Sequence, residues 1–97
     1  MANRERFLIV NFIWSAAPKV EELKPIFNTA LDWYRLSSTV WIVWTSSNPE
    51  TWFEALKPHT VDEDSIFIAE LNLSEVQENY FGWQSKGFWD WIDKHRT

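Results

Sequence analysis

The chain has 97 residues, a length that suits one domain around a single core. A hydrophobic fraction of 45% and a charged fraction of 24% exclude disorder, and the absence of cysteine excludes a disulfide framework and a thiolate metal site. The formal charge is −5, and residues 46–80 set eight acids against Lys57 alone, which speaks against binding of a phosphate backbone by this chain by itself.

The run Arg6 to Trp14 (RFLIVNFIW) is dominated by β-branched and aromatic residues and reads as a strand. It is apolar on both faces, with Phe7, Ile9 and Ile13 on one and Leu8, Val10, Phe12 and Trp14 on the other. Such a strand is buried on both sides, or one side meets a partner. Ser15 to Leu31 has helical spacing at Val20, Leu23, Phe27, Ala30 and Leu31, with Pro18 suited to a first turn. Pro25 conflicts with one unbroken helix, so the segment either kinks there or starts a second helix near Lys24.

Asp32 to Leu36 and Thr39 to Thr45 read as two strands around Ser37-Ser38, the second again apolar on both faces. Asn48 as cap, Pro49 as first residue and Glu50 in the first turn predict a helix that buries Trp52, Phe53 and Leu56 and stops at Lys57-Pro58. Asp62-Glu63-Asp64 is a turn, and Ser65 to Leu71 (SIFIAEL) is a fourth strand. The order β-α-β-β-α-β predicts an α+β fold of the ferredoxin-like kind, an antiparallel sheet with two helices on one face. The expected core spans about residues 6–73 of a single domain over 1–97. A C-terminal extension, 74–97, contributes an extended piece from Val76 to Phe81 and a helix capped by Ser85, with Phe88, Trp91, Ile92 and His95 on one side.

Aromatic residues make up 18% of the chain, eight of them Trp, and most are expected in the core, where large rings bury area and pair edge to face. The opening Met1-Ala-Asn-Arg-Glu-Arg runs into a short apolar stretch without a small-residue cleavage site, and no run is long enough to span a bilayer. The expectation is a cytoplasmic protein away from membranes.

Three stretches taken together, FLIVNFI, LDWYRLSSTVWIV and LKPHTVDEDSIFIAEL, resemble a divergent branch of the CRISPR-associated Cas-two family over roughly residues 6–73. The resemblance implies a ferredoxin-like homodimer with a C-terminal segment crossing to the partner, and a role in spacer integration or metal-dependent nuclease activity. The family places an Asp near the end of the first strand to hold Mg²⁺. Here Asn11 or Phe12 stands in that place, and neither supplies carboxylate oxygens. The expected function is therefore that of a non-catalytic homodimeric scaffold, without cofactor and with a protein partner. A Mg²⁺-dependent nuclease of the same family and an acidic inhibitor that mimics nucleic acid stand as alternatives.

No Gly-rich phosphate loop, Ser/His/Asp spacing or zinc-ligand pattern is present in the sequence. Asp62 and Asp64 are the candidates for a divalent ion, and His59 for acid–base work or for the C-terminus of the second helix. Asn11 reads as a buried, satisfied amide at a strand end or dimer axis. The expected dimer or partner surface comprises Phe12, Trp14, Trp41, Trp83 and Trp89. The aromatic-basic tail cluster of Trp83, Phe88, Trp89 and Trp91 with Lys86, Lys94 and Arg96 is expected to dock rather than to stack bases.

Overall fold

Period-two alternation places Leu8, Val10 and Phe12 on one side of β1 (Arg6–Ile13) and Phe7, Ile9 and Ile13 on the other, so this strand has an apolar interest in both faces of the sheet. In the computed structural model, which describes residues 4–73, 82 and 84–94, β1 lies between β3 (Val40–Thr45) and β4 (Ser65–Leu71) and is antiparallel to both. β2 (Asp32–Arg35) pairs antiparallel with the far side of β3, giving the sheet order β2-β3-β1-β4. β1 and β2 consequently run one way and β3 and β4 the other. Each same-direction pair is joined through a helix, α1 (Val20–Phe27) between β1 and β2 and α2 (Pro49–Leu56) between β3 and β4. A third helix, α3 (Lys86–Ile92), follows the sheet. The fold class is α+β, with a four-stranded antiparallel sheet and three helices among the described residues.

Both crossing helices cover the same face. Leu23 and Phe27 of α1 and Trp52 and Leu56 of α2 meet Leu8, Val10, Phe12, Trp41 and Val43 in one buried cluster. The rings of Phe27 and Trp41 stack at 4.8 Å, and Trp52 lies 5.9 Å from Phe27. Three indole N–H groups around this core are placed: Trp52 donates to Thr45 Oγ1 at 3.1 Å, Trp33 to Asn28 Oδ1 at 3.0 Å and Trp14 to the Ser38 carbonyl at 2.9 Å. A buried donor without an acceptor costs about 1–3 kcal/mol, which the bond to Thr45 offsets for Trp52.

The local rules for α2 hold. Asn48 Oδ1 accepts from Thr51 N at 2.8 Å, and Pro49 opens the helix. As expected, α2 stops at Lys57-Pro58, with Lys57 as its C-cap, and the chain then tightens into a 3-10 turn over Lys57–His59, which a proline tolerates because the turn needs no donor there. The predicted helix over Ser15–Leu31 is shorter in the structure. Residues 14–19 are irregular, Pro18 lies outside the helix, and α1 begins after Lys19, which makes no side-chain cap. Neither a break nor a second helix resolves the Pro25 conflict. Pro25 sits in the last turn of a single eight-residue helix, where little helix remains to be disrupted, and the chain exits through Asn28 N bonded to the Lys24 carbonyl at 2.9 Å. The predicted extended piece from Val76 to Phe81 lies outside the described residues, as do Trp83 and His95.

Among the described residues no helix is long and apolar enough to cross a membrane. Because Trp41 is 1% exposed and stacked between helix and sheet, Trp41→Ala is expected to lower unfolding stability in urea by about 3–5 kcal/mol. Leu31→Ala, at a side chain 60% exposed, is expected to change it by no more than about 0.5 kcal/mol.

Candidate functional site

The face of the sheet away from α1 and α2 is the part of the molecule with unfinished burial. The registers arrange its side chains in rows across the strands: Asp32, Trp44, Phe7 and Leu71 in one, Tyr34, Ile42, Ile9 and Ala69 in the next, then Val40, Asn11 and Phe67. Ile13 and Ser65 close the sequence of rows.

α3 covers one end of this face. Ser85 caps it by accepting from Phe88 N at 3.3 Å, and its Phe88 and Ile92 bury Ile42 beneath them. Trp91 reaches Phe7 and Tyr34 with ring centroids 5.7 Å from each, and Phe88 meets Tyr34 edge-on at 5.7 Å. The approach is close at the first turn, where a Cβ on Gly87 would stand 3.4 Å from the Tyr34 hydroxyl. Beyond the helix, Lys94 Nζ donates to Asp32 Oδ2 at 3.0 Å and ties the tail to β2. Burial by itself would push the Asp32 carboxyl up. Hydrogen bonds from Lys94 and the Trp33 backbone, with the Lys94 charge, help hold the group below the ordinary aspartate value.

Among the described residues no helix covers the other end of the face. Ile13 is 68% exposed and Phe67 is 69% exposed, one strand apart, with Asn11 beside Phe67. Asn11 is itself exposed in the single chain and not buried, and it projects from the outer side of β1. Phe67 was not among the residues expected at a surface, although the alternation of SIFIAEL sets Phe67, Ala69 and Leu71 on one side of β4 and Ile66 and Ile68 on the other.

Two residues of the expected partner surface are elsewhere. Phe12 and Trp41 are each 1% exposed and belong to the core beneath α1 and α2, because even-numbered positions of β1 and odd-numbered positions of β3 point to the helices. Trp14 is half-buried, stacked on Phe12 at 4.5 Å and fixed to the Ser38 carbonyl. Trp89 is half-buried against the cluster under α3, and Trp83 lies outside the described residues. The basic residues of the tail are engaged locally: Lys86 Nζ bonds Asp90 Oδ2 at 2.7 Å, and Lys94 bonds Asp32. Arg96 lies outside the described residues.

Of the acidic turn, Asp64 is a structural clamp and not an open ligand. Its Oδ1 accepts from Ser15 N and Ser15 Oγ at 2.8 Å each, and its Oδ2 accepts from Val61 N at 3.0 Å, joining the exit of β1 to the entry of β4. These bonds, from Ser15 N foremost, hold its carboxyl below the ordinary value. Asp62 and Glu63 are exposed. His59 Nδ1 lies 3.0 Å from Glu22 Oε2, and the His59 carbonyl accepts from Lys19 Nζ at 3.2 Å, so the 3-10 turn is fastened to α1. No group of three or more His, Asp or Glu that would hold a metal ion forms among the described residues. At the opposite end of β1 and β4, Arg4 and Arg6 converge on Glu70 Oε1 at 2.9 and 3.5 Å, beside a cleft of about 300 Å³.

No family model, curated protein or solved structure matches this chain.

Asp32 and Asp64 give the fold a definite acid response. A carboxylate held below its ordinary value takes up protons less readily folded than unfolded, so its contribution is present above that value and is lost as pH falls through the folded one. Asp64→Asn is expected to lower the melting temperature at pH 7, with the gap to wild type narrowing as pH falls below the ordinary aspartate value. A gap that stays constant with pH would show that the Asp64 charge does not contribute.

Proposed function

We propose that this chain is a non-catalytic interaction protein that works as a homodimer, with a ferredoxin-like core similar to that of the Cas-two family. The observation that carries the reading is the half-covered outer face, where Ile13 and Phe67 stand exposed on paired strands rather than on a loop. Apolar side chains presented together by a rigid sheet favour removal from water, and monomers seldom leave such groups contiguous. The element order and the interleaving of two helix-linked strand pairs support the ferredoxin-like assignment. At the end of β1 Asn11 points outward and Phe12 points into the core, so neither offers Mg²⁺ the carboxylate oxygens it prefers. The role that fits these features is a scaffold that presents two copies of one surface to a protein partner.

Light scattering at micromolar concentration tests the reading: the expected mass is twice that of the 11.6 kDa chain. Phe67→Asp is expected to shift the population to monomer while leaving the circular dichroism spectrum of the fold unchanged. A wild-type mass near 11.6 kDa overturns the proposal. Incubation with single- and double-stranded RNA and DNA in Mg²⁺ or Mn²⁺ is expected to leave the nucleic acid uncut, and cleavage by the purified chain would overturn the non-catalytic part.

A further inference from the structure

We propose that the free edge of β4 is a self-complementary seam at which a second copy of this chain pairs antiparallel, extending the two sheets into one of eight strands; this rests on the homodimer reading and specifies its interface. Among the described residues β4 pairs only with β1, so one side of its backbone has no described strand beside it. It is seven residues long, against four for the opposite edge strand β2, and Glu70 is its only charged residue. A long, weakly charged edge of this kind is a template for another strand.

The register follows from the sequence. A two-fold axis normal to the sheet keeps each copy's outer side chains on the outer face, so residues must pair with an even sum of numbers; a slip of one would set Phe67 against the helix side. Centring the pair on Ile68, the middle residue, uses all seven residues and sets Ser65 against the partner's Leu71 and Phe67 against the partner's Ala69. Each exposed Phe67 ring then faces a methyl group, with room to lie across the seam. Shifting the centre to Phe67 would instead oppose Asp64 to Glu70, two like charges.

Charge complementarity selects the same partner. Antiparallel pairing brings the start of each β4, with Asp62 and Glu63, alongside the end of the other, where Arg4 and Arg6 stand one strand in from the seam. Strands lie about 4.8 Å apart, and Arg4 already reaches β4 at Glu70 with its side chain 64% exposed. Asp62 and Glu63 are exposed and form no ion pair among the described residues. The two-fold axis makes each such contact twice.

The test is a charge swap read by sedimentation equilibrium on the full chain. Arg4→Glu and Asp62→Arg are each expected to weaken the dimer about tenfold, because both copies of the contact turn repulsive. The double variant Arg4→Glu/Asp62→Arg is expected to restore it. In a chain without cysteine, Ile68→Cys is expected to form a disulfide-linked dimer on oxidation, since directly opposed residues bring their Cβ atoms to about 4.5–5.5 Å. Ser37→Cys, in the turn at the opposite edge, is expected not to. A dimer that is indifferent to all three charge variants, or that cross-links through Ser37→Cys and not through Ile68→Cys, overturns the seam and leaves the homodimer standing. A monomeric wild type overturns both.

Discussion

Everything in this fold hangs on a central strand that is apolar on both sides. Leu8, Val10 and Phe12 commit one face of β1 to α1 and α2, while Phe7 and Ile9 leave the other face in need of cover. A sheet with helices on one side only would present the outer row of aliphatic and aromatic groups to water, at a cost of about 25 cal/mol for each Å² of apolar surface. The chain answers with α3, which lies across the Phe7, Ile42 and Tyr34 end. It is long enough for that end alone.

The two faces are built differently. The inner core is a dense stack in which Trp41 lies against Phe27 and every fully buried side chain is apolar, with the nearby indole N–H groups directed to Thr45, Asn28 and Ser38. The outer cluster has fewer buried members, a short helix and a charged tie from Lys94 to Asp32. By this measure the α3 end opens more easily than the inner core, because it rests on less buried apolar area and partly on an ion pair that acid removes. The clamp at Asp64 protects a separate place, the junction between β1 and the turn that starts β4, and so keeps the edge strand in register.

That register would matter to the proposed homodimer because the exposed part of the outer face and the edge of the described sheet meet at the same strand. Phe67 belongs to both: it is exposed on the face, and β4 is the edge. An interaction surface of this form is rigid, since its groups stand on paired strands, and binding there loses little conformational entropy. The proposed seam would also account for the charges along β4, with the acidic turn before it and Arg4 and Arg6 beside its end.

Much of this was legible in the sequence. Alternation gave β4 to the residue and the two-sided character of β1, and the Asn48-Pro49 signal gave α2, because these depend on side-chain period and local hydrogen bonding. Ser85 likewise announced α3. What the sequence left open was which face of each strand meets the helices. Phe12 and Trp41 looked as suited to a partner as Phe67, since all are large aromatics in apolar strands. Asn11 looked buried because its neighbours in the chain are apolar, yet its surroundings are set by Val40 and Phe67 on the adjacent strands. Hydrophobicity and period fix where strands are and that they have two faces. Only the side on which α1 and α2 cross, and the reach of a seven-residue α3, decide which aromatic rings become core and which remain at the surface.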